Sequence, residues 1–177
     1  SLRATEAQAK KLEKLLQGDS SPRLKERALF VLAQSNSSRA QEVLGRIARG
    51  NANPDLQEKA IQYLGMNGTA ANRQILADIY QSSTDVGVKR RILRSFMMSG
   101  DRSRVLNAAT TEKSPELRAE AVRQLGMMGA REELWPHYLA MRTKIGAERG
   151  WPPPTRAQFD REAGPQGALF VGAPETV

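Results

Sequence analysis

Four sixteen-residue segments of this chain align with one another without gaps, and that self-similarity limits the fold more than any other feature of the sequence. They are SPRLKERALFVLAQSN from Ser21, NPDLQEKAIQYLGMNG from Asn53, DVGVKRRILRSFMMSG from Asp85 and SPELRAEAVRQLGMMG from Ser114, with starts 32, 32 and 29 residues apart. A unit of this length cannot bury its apolar face alone, so the chain must stack copies of one supersecondary element.

Each aligned column has a physical meaning. Ser21, Asn53, Asp85 and Ser114 open the segments, and all four side chains can accept bonds from the free N–H groups of a helix start. Pro22, Pro54 and Pro115 follow, where a missing N–H costs nothing; only Val86 departs. Leu24, Leu56, Val88 and Leu117, then Ala28, Ala60, Ile92 and Ala121, then Leu32, Leu64, Phe96 and Leu125, recur at i, i+4 and i+8 and form one helical stripe. Leu29, Ile61, Leu93 and Val122 widen it, and the small Ala column is expected to let a neighbouring helix come close. Gly68, Gly100 and Gly129 are expected to end these helices in the left-handed conformation, with Asn36 in that place in the first repeat.

A second helix follows each stop. Its apolar triplets are Val43, Leu44, Ile47; Ile75, Leu76, Ile79; Val105, Leu106, Ala109; and Leu134, Trp135, Tyr138. Leu15 precedes Pro22 by seven positions, as Ile47 precedes Pro54, so residues 1–17 read as half a repeat, and the array is expected to begin upstream of Ser1. The expected fold is therefore all-α: a right-handed α-solenoid over 1–144, with hairpins at about 21–50, 53–82, 85–112 and 114–141 and an irregular tail over 145–177.

NPDLQEKAIQYLGMNG and SPELRAEAVRQLGMMG resemble the short bacterial HEAT-like repeat, in which an Asp or Pro turn, an apolar–basic pair, an Ala and a Leu–Gly precede a Gly turn. The resemblance spans roughly residues 20–140 and is weakest in the third repeat, where Ile92 and Phe96 enlarge two columns and predict looser packing or a bend in the stack. It implies an armadillo-like helical scaffold. The group is similar to binding scaffolds, to phycobilin lyase subunits and to alkylpurine DNA glycosylases, and its repeat positions carry no catalytic residue onto this chain.

The residues offer little chemistry of their own. There is no Cys and one His, His137, so a metal site of the usual ligands is not expected, and neither is a cofactor. No Gly-x-Ser-x-Gly elbow and no phosphate-binding Gly loop is present. Glu132 and Glu133 point to different sides of a helix start, where they suit the positive end of its dipole. No apolar run approaches the length that spans a bilayer, so a soluble chain without membrane insertion is expected, either cytoplasmic or exported with a signal removed.

Lys and Arg outnumber Asp and Glu by 27 to 19, which raises nucleic acid as a partner. The basic residues fall on the first helices, where Arg27, Lys59, Arg91, Arg94 and Arg123 form a partial ridge. Grooves of such stacks are lined by second helices, and their exposed positions here are mixed in sign: Glu42, Arg46, Arg49, Gln74, Asp78, Gln81, Arg104, Asn107, Glu133 and His137, with Ala108 in the same register. A duplex-binding groove needs a continuous positive track instead. The expectation is thus a non-enzymatic scaffold that binds a protein or peptide through the second-helix face, with polyanion binding on the ridge as the alternative and an enzyme subunit of the lyase kind third.

The tail holds five of the nine prolines. Trp151, Phe159 and the run from Ala168 to Val171 are its apolar points, expected to fold back and cap the last hairpin or lie in the groove, with a docking peptide for another chain as the alternative.

Overall fold

The structure, a computed structural model, describes residues 2–50 and 52–163, with side chains from Thr5 onward. Among the described residues there are ten α-helices and no strand. The all-α, HEAT-like architecture expected from the columns is present. Two compact units make up the chain, 1–99 and 100–177, and the division falls inside the third repeat, between its two helices.

In the first unit, α1 (Leu2–Gln17), α3 (Ser38–Arg49) and α5 (Ala70–Ser82) form one layer. The layer opposite holds α2 (Pro22–Gln34), α4 (Pro54–Met66) and α6 (Val86–Met98). Helices of the two layers alternate along the chain, so each hairpin packs on the next. The four predicted N-caps all act as such: Ser21, Asn53, Asp85 and Ser114 accept from the N–H groups of Leu24, Leu56, Val88 and Leu117 at 3.2, 3.2, 3.2 and 3.3 Å. Ser37 and Thr69 cap α3 and α5 in the same way.

The apolar stripe is the core. Ala28, Leu29, Leu32, Ala60, Ile61, Leu64, Ile92 and Leu93 are buried, whereas Leu24, at the open end of the first stripe, is 46% exposed. The third repeat is not loosely packed at its enlarged columns, since Ile92 and Phe96 are both buried. Close approach comes from Gly65, where a β carbon would stand 2.6 Å from Ser95 Cβ. Ser95 also donates its hydroxyl to the Ile61 carbonyl at 3.1 Å, tying α6 to α4.

Two predicted helix stops differ from expectation. Gly100 and Gly129 adopt φ of +73° and +68°, but neither Gly68 nor Asn36 is left-handed, and α2 ends in extended backbone at Ser35, whose N–H donates to the Leu32 carbonyl. Asn67 ends α4 instead, donating from its side chain to the Ala33 carbonyl at 2.6 Å and accepting at its own carbonyl from Asn72 at 2.6 Å. Gly68 is needed for proximity: a β carbon there would collide with the Ser99 side chain.

The second unit contains α7 (Arg102–Thr111), α8 (Pro115–Met127), a 3-10 turn at Arg131–Leu134, α9 (Trp135–Arg149) and α10 (Arg156–Glu162). Helix α9 runs beyond the end expected for the last hairpin and stops at Gly150, φ +71°. Helix α10 lies within the segment expected to be irregular. Thr155 and Gln158 start it with a reciprocal capping box, the hydroxyl accepting from Gln158 N–H at 3.2 Å and the amide oxygen accepting from Thr155 N–H at 2.8 Å. Phe159 on this helix is fully buried, its ring 5.3 Å from the rings of both Trp135 and Tyr138. Trp151 remains 40% exposed between the guanidinium groups of Arg142 and Arg149, at 5.1 and 5.2 Å. The run Ala168 to Val171 lies outside the described residues.

Candidate second-helix binding face

Helices α1, α3 and α5 present the surface on which six of the ten expected second-helix residues stand. Their helical spacing puts Glu42, Arg46 and Arg49 on one side of α3 and Gln74, Asp78 and Gln81 on one side of α5, and all six are exposed. Local pairs hold them: Arg46 reaches Glu42 at 3.6 Å, and Gln74 donates to Asp78 at 2.9 Å. The Arg49 guanidinium folds over Gly45, where a β carbon would meet its Nη1 at 3.1 Å.

A carboxylate that the columns did not flag organises this face. Glu13 of α1 is 9% exposed and accepts two bonds from Arg39, at 2.8 and 3.2 Å, and one from Arg46 at 3.4 Å. The hydrogen bond from Arg39 is the main reason its carboxyl titrates below the usual range, working against the burial that would raise it. Glu6 adds a second tie between α1 and α3, accepting from the Ser37 hydroxyl at 2.8 Å. A signal for Glu13 was present in the sequence: it stands four residues after buried Ala9 and three before buried Leu16, on the apolar stripe of α1.

Where the C-terminal halves of α1 and α3 meet the start of α4 there is a cleft of about 330 Å³. Leu16, Val43, Ile47 and Leu56 line it, and the Glu13–Arg46 pair stands at its edge. The arrangement is an apolar slot with a charged, hydrogen-bonding rim, a shape that takes one apolar side chain and fixes the polar groups beside it.

The remaining four residues belong to the second unit. Arg104 pairs with nearly buried Asp101 at 2.6 Å, Glu133 with Arg102 at 3.1 Å, and Asn107 and His137 are exposed. Ala108, read as exposed in the same register, is buried, on a helix that packs closely on α8. Glu132, beside Glu133 in the 3-10 turn, binds Arg156 at 2.6 Å.

The basic ridge of the first helices is threaded with carboxylates. Lys59 reaches Glu26 at 3.3 Å and Arg91 reaches Glu58 at 3.8 Å, so in each case a cation of one hairpin binds an acid of the hairpin before it. Tyr63 donates to the same Glu26 at 2.9 Å, and that bond, followed by Lys59, lowers the carboxyl's titration. Arg123 reaches Glu120 at 2.6 Å. Arg27 and Arg94 are exposed. Lys89, in the densest basic run, lies over the Tyr80 ring at 4.7 Å.

Among the described residues no cluster of three metal-ligating side chains occurs, and no helix is long and apolar enough to cross a membrane. No curated protein and no solved structure matches the chain significantly. A family model described as HEAT repeats matches residues 9–97, which is half of the sequence. The match begins within α1, in the N-terminal half repeat, and ends within α6, close to the limit of the first compact unit. Capped hairpins at a 32-residue period, a shared apolar stripe and this match lead to one assignment: the chain belongs to the HEAT-repeat family.

Proposed function

We propose that this chain is a non-catalytic scaffold that binds a protein or peptide segment along α1, α3 and α5. HEAT repeats in general serve as protein-interaction scaffolds and are typically non-catalytic. The observation that supports a specific surface is the cleft between α1 and α3, whose apolar lining of Leu16, Val43, Ile47 and Leu56 lies next to the exposed, mixed-charge residues Glu42, Arg46 and Asp78. An apolar anchor in a pocket surrounded by polar contacts is the pattern of interface hot spots. Mixed charge on the rim suits a peptide better than a phosphate backbone, which needs consecutive cations.

The test is site-specific photocrosslinking in cells that produce the full chain. A photoreactive residue at Arg46 or Gln74 should capture the same partner, and one at Gln62 on the other layer should not. Ile47→Asp should abolish that capture while circular dichroism stays unchanged. Equal capture from both layers, or capture indifferent to Ile47→Asp, would place the binding surface elsewhere.

A further inference from the structure

The side of α8 that a further hairpin would cover has no helix over it among the described residues. Inside the first unit, Ser95 of α6 covers Gly65 of α4 at van der Waals contact or closer. Gly126 holds the equivalent repeat position on α8, and among the described residues nothing comes within 4 Å of where its β carbon would be. A cavity of about 670 Å³ opens there, lined by Val122, Gly126, Met127, Arg131, Asp160 and Ala163. Met127 is 70% exposed. The arginines at the cavity edge already have partners, Arg123 in Glu120 and Arg131 in Asp160 at 3.1 Å, so what the cavity offers is mainly apolar surface. An uncovered end of this kind is what a repeat stack has to cap.

The chain itself carries an occupant of the right chemistry close by. Ala163, the last described residue, forms part of the cavity wall, so the following chain departs from the rim. Residues 164–177 hold no charge before Glu175, and their apolar content is concentrated in Ala168-Leu169-Phe170-Val171, between Gly167 and Gly172. The five chain steps from residue 163 to 168 reach at most about 18 Å, which keeps the quartet beside the cavity. No side chain of the quartet is polar, and the glycines on either side permit a sharp return.

We infer that residues 168–171 dock into the α8 cavity against Met127 and the bare backbone of Gly126, taking the place of a fifth repeat's first helix and closing the stack. The segment acts as an intramolecular cap. It hides an apolar end that would otherwise recruit a second copy.

Because the chain has no cysteine, Ala173→Cys gives a single nitroxide attachment site in the full protein. With methyl-labelled methionine, the Met127 signal should be strongly broadened by the nitroxide. Adding Leu169→Asp and Phe170→Asp should recover it, with the docked population falling by about tenfold or more as two large apolar side chains lose their burial. Equal broadening with and without the aspartates would mean tethering alone and would overturn the inference. Gly126→Leu, for which there is room, should fill the cavity and release the tail, so that the Leu169 and Phe170 resonances narrow to those of a free peptide; unchanged resonances would also overturn it. Mixing spin-labelled chains with separate methyl-labelled chains checks for a second copy. Broadening of Met127 in that mixture would assign the cavity to a dimer contact and reject the intramolecular cap.

Discussion

Gly65 of α4 and Ser95 of α6 meet at the level of the backbone: a β carbon on residue 65 would lie 2.6 Å from Ser95 Cβ and 2.9 Å from its Cα. Neither neighbour is the flexible end of a side chain, so a methyl group can be admitted only by moving one helix from the other. Gly65→Ala is therefore expected to cost about 1–3 kcal/mol as an overpacked core. Gly126→Ala, at the same repeat position but with no described residue within 4 Å of the added carbon, should instead gain about 0.5–1 kcal/mol from helix propensity. Urea denaturation of the two variants reads the difference, and effects of the same sign would contradict the packing described.

Glu13 binds both Arg39 and Arg46 from a nearly buried position. Its carboxyl titrates low in the folded chain, so its contribution is present above the ordinary glutamate range and is lost as pH falls through the lowered value. Glu13→Gln should destabilise the first unit by about 1–3 kcal/mol at neutral pH, because Arg39 loses a charged acceptor. The gap between variant and parent, followed by denaturant melts across pH, should close on acidification.

Tyr138 is fully buried and donates its hydroxyl to Glu162 on α10. Burial, then that bond, pushes the phenol up from 10.0 to about 12. The raised value means that its contribution is complete below the ordinary tyrosine range and disappears as pH rises through about 12, a loss of roughly 2–3 kcal/mol. Ultraviolet absorbance should show Tyr138 ionising last, after Tyr63, whose phenol is also held up by burial and its bond to Glu26, and Tyr138→Phe should remove that last step.

Phe159 anchors α10 through Trp135 and Tyr138, with the Arg131 guanidinium over its ring at 4.7 Å. Truncation by Phe159→Ala should cost the second unit about 3–5 kcal/mol. Amide exchange over residues 156–162 should accelerate, and tryptophan emission should shift to the red as Trp135 loses its cover. Unchanged exchange would mean that α10 is held by its salt bridges alone.

Much of this fold could be read from residue types because its signals are local. A cap needs only a short polar side chain in front of a helix, and all four first-helix caps form the bonds their residue types allow. Helix α10 carried an equally local signal in Thr155 and Gln158, but seven residues are too few to establish a period. The proposed binding face was legible as a set of positions most of which are exposed. Its organising residue, Glu13, was not, because one carboxylate on an apolar stripe acquires meaning only from Arg39 and Arg46 on another helix.

Leu64-Gly65-Met66 and Leu125-Gly126-Met127 show where the boundary lies. By itself, the sequence determines that both tripeptides end a first helix and put Leu in the core, since capping and periodicity act within a few residues. That one glycine is pressed against Ser95 while the other meets no described residue is decided only by the tertiary structure, because it depends on whether another helix packs there.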